Sequence, residues 1–188
     1  MKVSTKTIVT TGMFTAVLSV LSIVTIPMPS GVPVTLQTFA VALCGYVLGS
    51  KKGLASTVIY ILLGTVGAPV FAGMTGGPSW LAGYSGGFIW GFLFLSFLSG
   101  FGMERRPVAG KIAGGLAGLF FCHLLGVIQF AVVASVSLPA SFVAVSVPYL
   151  IKDVISVAGA YVVAVPIRKA LAADGLAGRE PGRRGENV

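Results

Sequence analysis

The stretch VPYLIKDVISVAGAYVVAVPIRKAL, Val147 to Leu171, decides how the whole chain is read. It is long and apolar enough for a membrane-spanning helix, which takes ~20 residues, yet it holds Lys152 and Asp153 near its start. Pro148 fits the first turn of such a helix, where its missing N–H costs little. Lys152 and Asp153 then lie one to two turns inside. An ionisable side chain within the hydrocarbon is expensive to keep and marks a site by default. Lysine can extend its ammonium to the interface, whereas aspartate is too short to do so. Adjacent helical residues point about 100° apart, a poor geometry for a direct ion pair. Asp153 is therefore expected to face a ligand, with Lys152 at the rim; the alternative is that the two charges neutralise each other or pair with helix backbone.

The remainder of the 188-residue chain is of the same kind: 55% hydrophobic, 10% charged, with a mean hydropathy of +0.96. A water-soluble globule would lack the polar residues to cover itself, so the bilayer is the expected solvent. Runs between Pro, Gly and charge clusters predict six helices: Thr5 to Ile26, Leu36 to Gly49, Gly53 to Val66, Tyr84 to Met103, Val108 to Val136 and Val147 to Leu171. With six spans, four cationic clusters fall on one side: Lys2 and Lys6; Lys51 and Lys52; Arg105, Arg106 and Lys111; and Arg168, Lys169, Arg179, Arg183 and Arg184. The positive-inside rule assigns that side, and both termini, to the cytoplasm. Five or seven spans would scatter the clusters. The net charge of +8 thus reports topology, and no nucleic-acid motif accompanies it. The expected organisation is an all-α polytopic membrane domain over 1–171 and a polar, Gly-rich cytoplasmic tail over 172–188, expected to be disordered.

The opposite connections, Pro27 to Thr35, Gly64 to Gly83 and Ser137 to Ser146, carry no charge. IPMPSGVPVTLQ has three prolines that break the first helix and stiffen the approach to the second. The glycine-rich third connection holds Phe71, Trp80 and Tyr84 and can fold over a cavity; the alternative is an interfacial loop with aromatic anchors. Gln37, at the outer start of the second helix, offers both a donor and an acceptor, and a capping or helix–helix bond is its alternative role. Gln37, Trp80, Tyr84 and Asp153 share one depth, as an outward-facing pocket for a small, largely apolar ligand would require. Cys44 and Cys122 lie in apolar runs without metal-ligand spacing, and the single histidine, His123, rules out a multi-histidine metal site. No metal or cofactor is expected. The sequence has no phosphate-binding GxxxxGK[ST] motif, so any ATP hydrolysis belongs to a partner.

GVPVTLQTFAVALCGYVLG (Gly31 to Gly49), VFAGMTGGP and GYSGGFIWGF (within Val70 to Phe92), and PYLIKD (Pro148 to Asp153) resemble the BioY family, the biotin-binding S components of energy-coupling factor (ECF) vitamin transporters. The resemblance covers nearly the whole chain apart from the tail. It implies a six-helix S-component fold, high-affinity capture of biotin from outside, and energisation by a separate transmembrane coupling protein and ABC-type ATPase subunits. On that reading Asp153 accepts ureido N–H bonds, charge-assisted and hence strong. Gln37 serves the ureido carbonyl, and Trp80, Tyr84 and Phe71 pack the rings and chain. The carboxylate goes to N–H groups of the glycine loop around Gly76 and Gly77, to Tyr84 or to Lys152. The first helix of S components presents small residues to the coupling protein, which points to Gly12 and Ala16; packing within the monomer is the competing role.

This chain departs from the family pattern at two positions. Ser156 stands where a lysine is often found one turn after the aspartate, and His123 stands where a tyrosine is common, which assigns His123 a packing role. GYSG, Gly83 to Gly86, with His123 downstream, also matches the serine and histidine of rhomboid-type intramembrane proteases. A dyad needs the hydroxyl and imidazole within ~3 Å. Ser85 is expected at the outer end of its helix and His123 near mid-membrane, so the depths disagree. A channel would need polar residues along a continuous path, which the sequence does not show. An S component for a different vitamin is the remaining alternative.

Overall fold

The computed structural model describes residues 4–105 and 107–173. In chain order its elements are α1 (Thr5–Ile23), β1 (Thr25–Ile26), β2 (Val34–Thr35), α2 (Gln37–Leu48), α3 (Ser50–Thr65), α4 (Ser79–Ala82), α5 (Gly86–Met103), α6 (Val108–Ala134), α7 (Leu138–Val145) and α8 (Val147–Ala173). Each of the six apolar runs is a helix. The differences lie in the connections. α1 stops at Ile23 rather than Ile26 because Thr25 and Ile26 pair antiparallel with Thr35 and Val34. Pro27, Pro29 and Pro33 fall in the loop of that hairpin, where no ladder donor is needed. α7 lies within the uncharged connection Ser137 to Ser146. Its N-cap, Ser137, accepts a hydrogen bond from the Ala140 N–H, and a proline sits in its first turn. α8 runs to Ala173; residues 174–188, most of the expected tail, lie outside the described residues, as do Lys2 and Arg106.

Among the described residues, α1, α5, α6 and α8 are long and apolar enough to cross a membrane. α2 is not. Its twelve residues span about 18 Å at ~1.5 Å each, against a hydrocarbon core of ~30 Å, and eleven of them are buried. α2 is the centre of the molecule, packed by α1, α3, α5 and α8. Gly49 alone joins it to α3, with φ of +84°, a conformation that favours glycine. The junction is clamped from two sides. Arg168, buried on α8, donates from Nη1 to the Tyr46 and Val47 carbonyls (3.2 and 3.3 Å) at the end of α2. Glu104 Oε1 accepts from Ser50 N and Oγ (2.8 and 2.9 Å) at the start of α3, so that helix begins at Ser50 and not at Gly53.

In lipid, helices gain little from burying apolar surface against one another, so close packing of small residues decides their association. The seam between α5 and α6 follows this rule. A Cβ at Gly91 would sit 2.5 Å from Cys122 Cα, one at Gly118 2.8 Å from Leu95 Cα, and one at Gly114 2.8 Å from Gly102 Cα. Gly114 and Gly118 of α6 therefore bring its backbone against that of α5. Gly12 behaves differently. A Cβ there would meet nothing within 4 Å, and Gly12 and Ala16 are exposed on α1 beside Ile8, Val9, Met13 and Val17.

Candidate functional site

The hairpin, the start of α2, the α4 segment, the start of α5 and the first turns of α8 surround one cavity. It is lined by, among others, Thr35, Gln37, Thr38, Trp80, Phe88, Tyr149, Lys152 and Asp153. Its open centre is about 40 Å³, room for roughly three waters at ~10–15 Å³ each. Asp153 is buried at 5% exposure. Its Oδ1 pairs with Lys152 Nζ, and its Oδ2 lies 3.2 Å from His123 Nε2 on α6. Neither His123 Nε2 nor Asp153 Oδ1 makes a well-angled hydrogen bond, so the carboxylate is held by proximity of charge and dipole and keeps acceptor directions open.

Lys152 pairs with Asp153 although adjacent helical residues are poorly placed for it, which is the mutual neutralisation expected as the alternative to a ligand-facing role. The lysine stem is long enough to turn its ammonium back along α8, and a second acceptor holds it there: Nζ donates to the Thr35 carbonyl of β2 at 3.1 Å. Lys152 thus ties the hairpin to α8. Tyr149, one turn earlier, does the same with its hydroxyl. It donates to the Val32 carbonyl and lies 3.0 Å from Ser30 Oγ. Gln37 is satisfied within the protein: Nε2 donates to Tyr60 O–H at 2.7 Å and Oε1 accepts from Thr35 Oγ1 at 3.0 Å. The helix–helix role expected as its alternative is real, and the side chain nevertheless lines the cavity.

Of the residues expected at the site, the structure brings together Asp153, Lys152, Gln37 and Trp80. It places the others outside the lining. Phe71 is fully buried behind Trp80, between that ring and Tyr60, with centroids 6.3 and 5.5 Å away. Tyr84 is largely exposed and packs on Phe130 and Gly31. Gly76 and Gly77 serve the loop itself. Gly77 N–H donates to the Gly64 carbonyl at 2.7 Å, and a Cβ on Gly76 would strike the backbone of Gly67 and Ala68. The loop is compact because its N–H groups turn inward. Thr35, Thr38, Phe88 and Tyr149 line the cavity without having been singled out, although all four fall inside the quoted motifs; their depth was legible and their direction was not. His123 is buried and bonded to a neighbouring element, as a satisfied packing role requires. Its Nδ1 lies 2.7 Å from Ser146 Oγ, and its ring stands edge-on to Phe88 at 5.7 Å. Ser85 lines the cavity, but the imidazole is engaged with Ser146 and Asp153 instead.

A multi-pass helical membrane protein enclosing a small, partly charged cavity under the loops of one face is the class that fold and site define. The chain belongs to the BioY family, whose profile matches residues 1–173. It is 43% identical over 117 residues to the biotin transporter BioY of Thermotoga maritima, covering 62% of this chain and 69% of the relative. It is 36% identical over 133 residues to a probable biotin transporter BioY of Pyrococcus horikoshii (71% and 78%), and 30% identical over 165 residues to the biotin transporter BioY of Rhizobium etli (81% and 87%). The fold is similar, with a TM-score of 0.78 at 26% identity, to a crystal structure described as the S-component for biotin from an ECF-type ABC transporter; the match covers 91% of this chain and 95% of that one.

Proposed function

We propose that this protein captures biotin from outside the cell and is the substrate-binding subunit of an ECF-type transporter, a membrane transport protein and not an enzyme. The observation that carries the reading is the buried Asp153 carboxylate at the wall of a cavity roofed by the hairpin and Trp80, in a chain of this family. Biotin presents two ureido N–H donors, a carbonyl, an apolar sulfur ring and a carboxylate on a flexible chain. Asp153 accepts from the ureido N–H groups, Trp80 and Phe88 cover the rings, and Lys152, partly exposed at the rim, receives the carboxylate or stays paired with Asp153. Gln37 and Thr38 supply the polar complement, while Phe71 supports Trp80 from behind. Tyr84, Gly76 and Gly77 act on the shape of the loop.

The six apolar helices α1, α2, α3, α5, α6 and α8 all lie within the membrane in this proposal, the shorter α2 and α3 shielded by the longer ones, with both termini in the cytoplasm. ATP hydrolysis and coupling belong to separate subunits, and the exposed Gly12 and Ala16 of α1 are the surface that meets the coupling protein. The test is calorimetric titration of biotin into the purified protein beside Asp153→Asn and Ser85→Ala. Tight binding that survives Ser85→Ala and is lost in a folded Asp153→Asn variant is expected. A folded wild type that ignores biotin would redirect the assignment to another vitamin.

A further inference from the structure

The residues around Asp153 form a chain that the biotin reading does not use. Ser146, fully buried at the end of α7, lies 2.7 Å from His123 Nδ1; His123 Nε2 on α6 lies 3.2 Å from Asp153 Oδ2 on α8. All three side chains are buried, and His123 does not line the ligand cavity. It stands behind the carboxylate. Its ring is further set by Phe88, which does line the cavity and lies edge-on against it. The imidazole therefore touches both a charged and an aromatic wall of the site without touching the site's interior.

We propose that His123 is a positioning residue for ligand binding: its Nε2, 3.2 Å from Oδ2, restrains the Asp153 carboxylate by close approach, and Ser146, 2.7 Å from Nδ1, holds the imidazole. The proposal rests on Asp153 as the ligand's acceptor. A carboxylate presents about four acceptor directions. With Lys152 beside Oδ1 and His123 beside Oδ2, rotation about the terminal torsion, otherwise broad for aspartate, is restricted in a residue that lines the cavity. The orientation of His123 follows from its neighbours. Facing a carboxylate, Nε2 has to carry a proton, and Ser146 can serve Nδ1 in either protonation state, because its hydroxyl both donates and accepts. The groups facing the imidazole from the packed elements are Asp153 from α8, Ser146 from the α7 end and the Phe88 ring from α5; Lys152 reaches the same carboxylate from its other oxygen.

A second cavity gives the arrangement a further consequence. Leu116, Phe120, Leu124, Phe142 and Leu150 line an apolar space between α6, α7 and α8, and His123 and Ser146 form its polar floor. A small residue at 123 would open that space toward Asp153. The informative replacements therefore keep the volume: His123→Phe removes both polar contacts, and His123→Gln restores a donor amide.

Because His123 is the only histidine in the chain, histidine labelled with 15N gives one imidazole signal set in a protein purified without a histidine tag. Biotin affinity is expected to fall at least tenfold in His123→Phe and to recover within about threefold of wild type in His123→Gln, with the Nε2 resonance moving when biotin is added to the wild type. Wild-type affinity in His123→Phe overturns the proposal, as does equal loss in both variants or an Nε2 resonance indifferent to saturating biotin. Where His123→Phe fails to fold, the glutamine variant and the resonance still decide. Wild-type affinity in Asp153→Asn would instead remove the acceptor role on which the proposal stands.

Discussion

Lys152 shows how a single residue can hold two parts of the site. Its ammonium bonds the Thr35 carbonyl and the Asp153 carboxylate, so removing it loosens the hairpin and leaves a buried charge unpaired. Lys152→Met is expected to weaken biotin binding by tenfold or more, measured by calorimetry, while Lys152→Arg keeps part of the affinity; equal affinity in the methionine variant would show that Asp153 is held by other groups. Gln37 separates structure from binding in a different way. Gln37→Leu removes one of the two side-chain partners of the buried Tyr60 hydroxyl, a bond worth about 0.5–1.5 kcal/mol, and a drop in thermal midpoint in detergent should accompany any loss of affinity. Affinity lost with no change in stability would mean that the amide acts on ligand alone.

At the scale of elements, two glycine positions make opposite demands. Gly91 lies in the α5–α6 seam, where an added Cβ meets a backbone atom, so Gly91→Leu is expected to prevent folding or to cost several kcal/mol, on the order of an overpacked core or beyond. Gly12 faces open space. Gly12→Leu is expected to fold and bind biotin as the wild type does, yet to abolish uptake in cells that hold the coupling and ATPase subunits. Uptake unchanged by that substitution would move the partner surface away from α1. The helices themselves were legible because hydropathy and glycine punctuation report them directly. The two-residue strands were not, since Thr25 and Ile26 continue the apolar run of α1 and their pairing depends on Val34 and Thr35, across a proline-rich loop. Likewise the depth of Asp153 could be read from the helix start, whereas the partnership with His123 depends on how α6 and α8 face each other, which one chain of letters does not encode locally. Phe71 illustrates the same limit: an aromatic in a glycine-rich loop is legible as a cover for something, but that it packs between Tyr60 and Trp80 depends on the fold of the loop.

For the whole molecule, the cavity volume has a mechanical implication. A space of about 40 Å³ is well below the ~300 Å³ at which small-molecule pockets begin, so the roof formed by the hairpin and the α4 segment has to move outward to admit biotin. Hydrogen exchange should show both segments slowing when biotin binds, and exchange unchanged in both would mean that the site opens elsewhere. Topology can be tested on the intact cell: Cys44 and Cys122 are buried, so a single added cysteine at Ser30 should react with an impermeant thiol reagent from outside and one at Lys51 should not. Labelling of both from outside would overturn the six-span arrangement. The central helix has a consequence of another kind, for how the protein is made. α2 leaves the ribosome before α5 and α8, the helices that enclose it, and it is too short to cross the bilayer unaided. Through Gly49 it is joined to α3 without slack, so the two enter the translocon as one hairpin, and the last step of biogenesis is the closing of later helices around an earlier one.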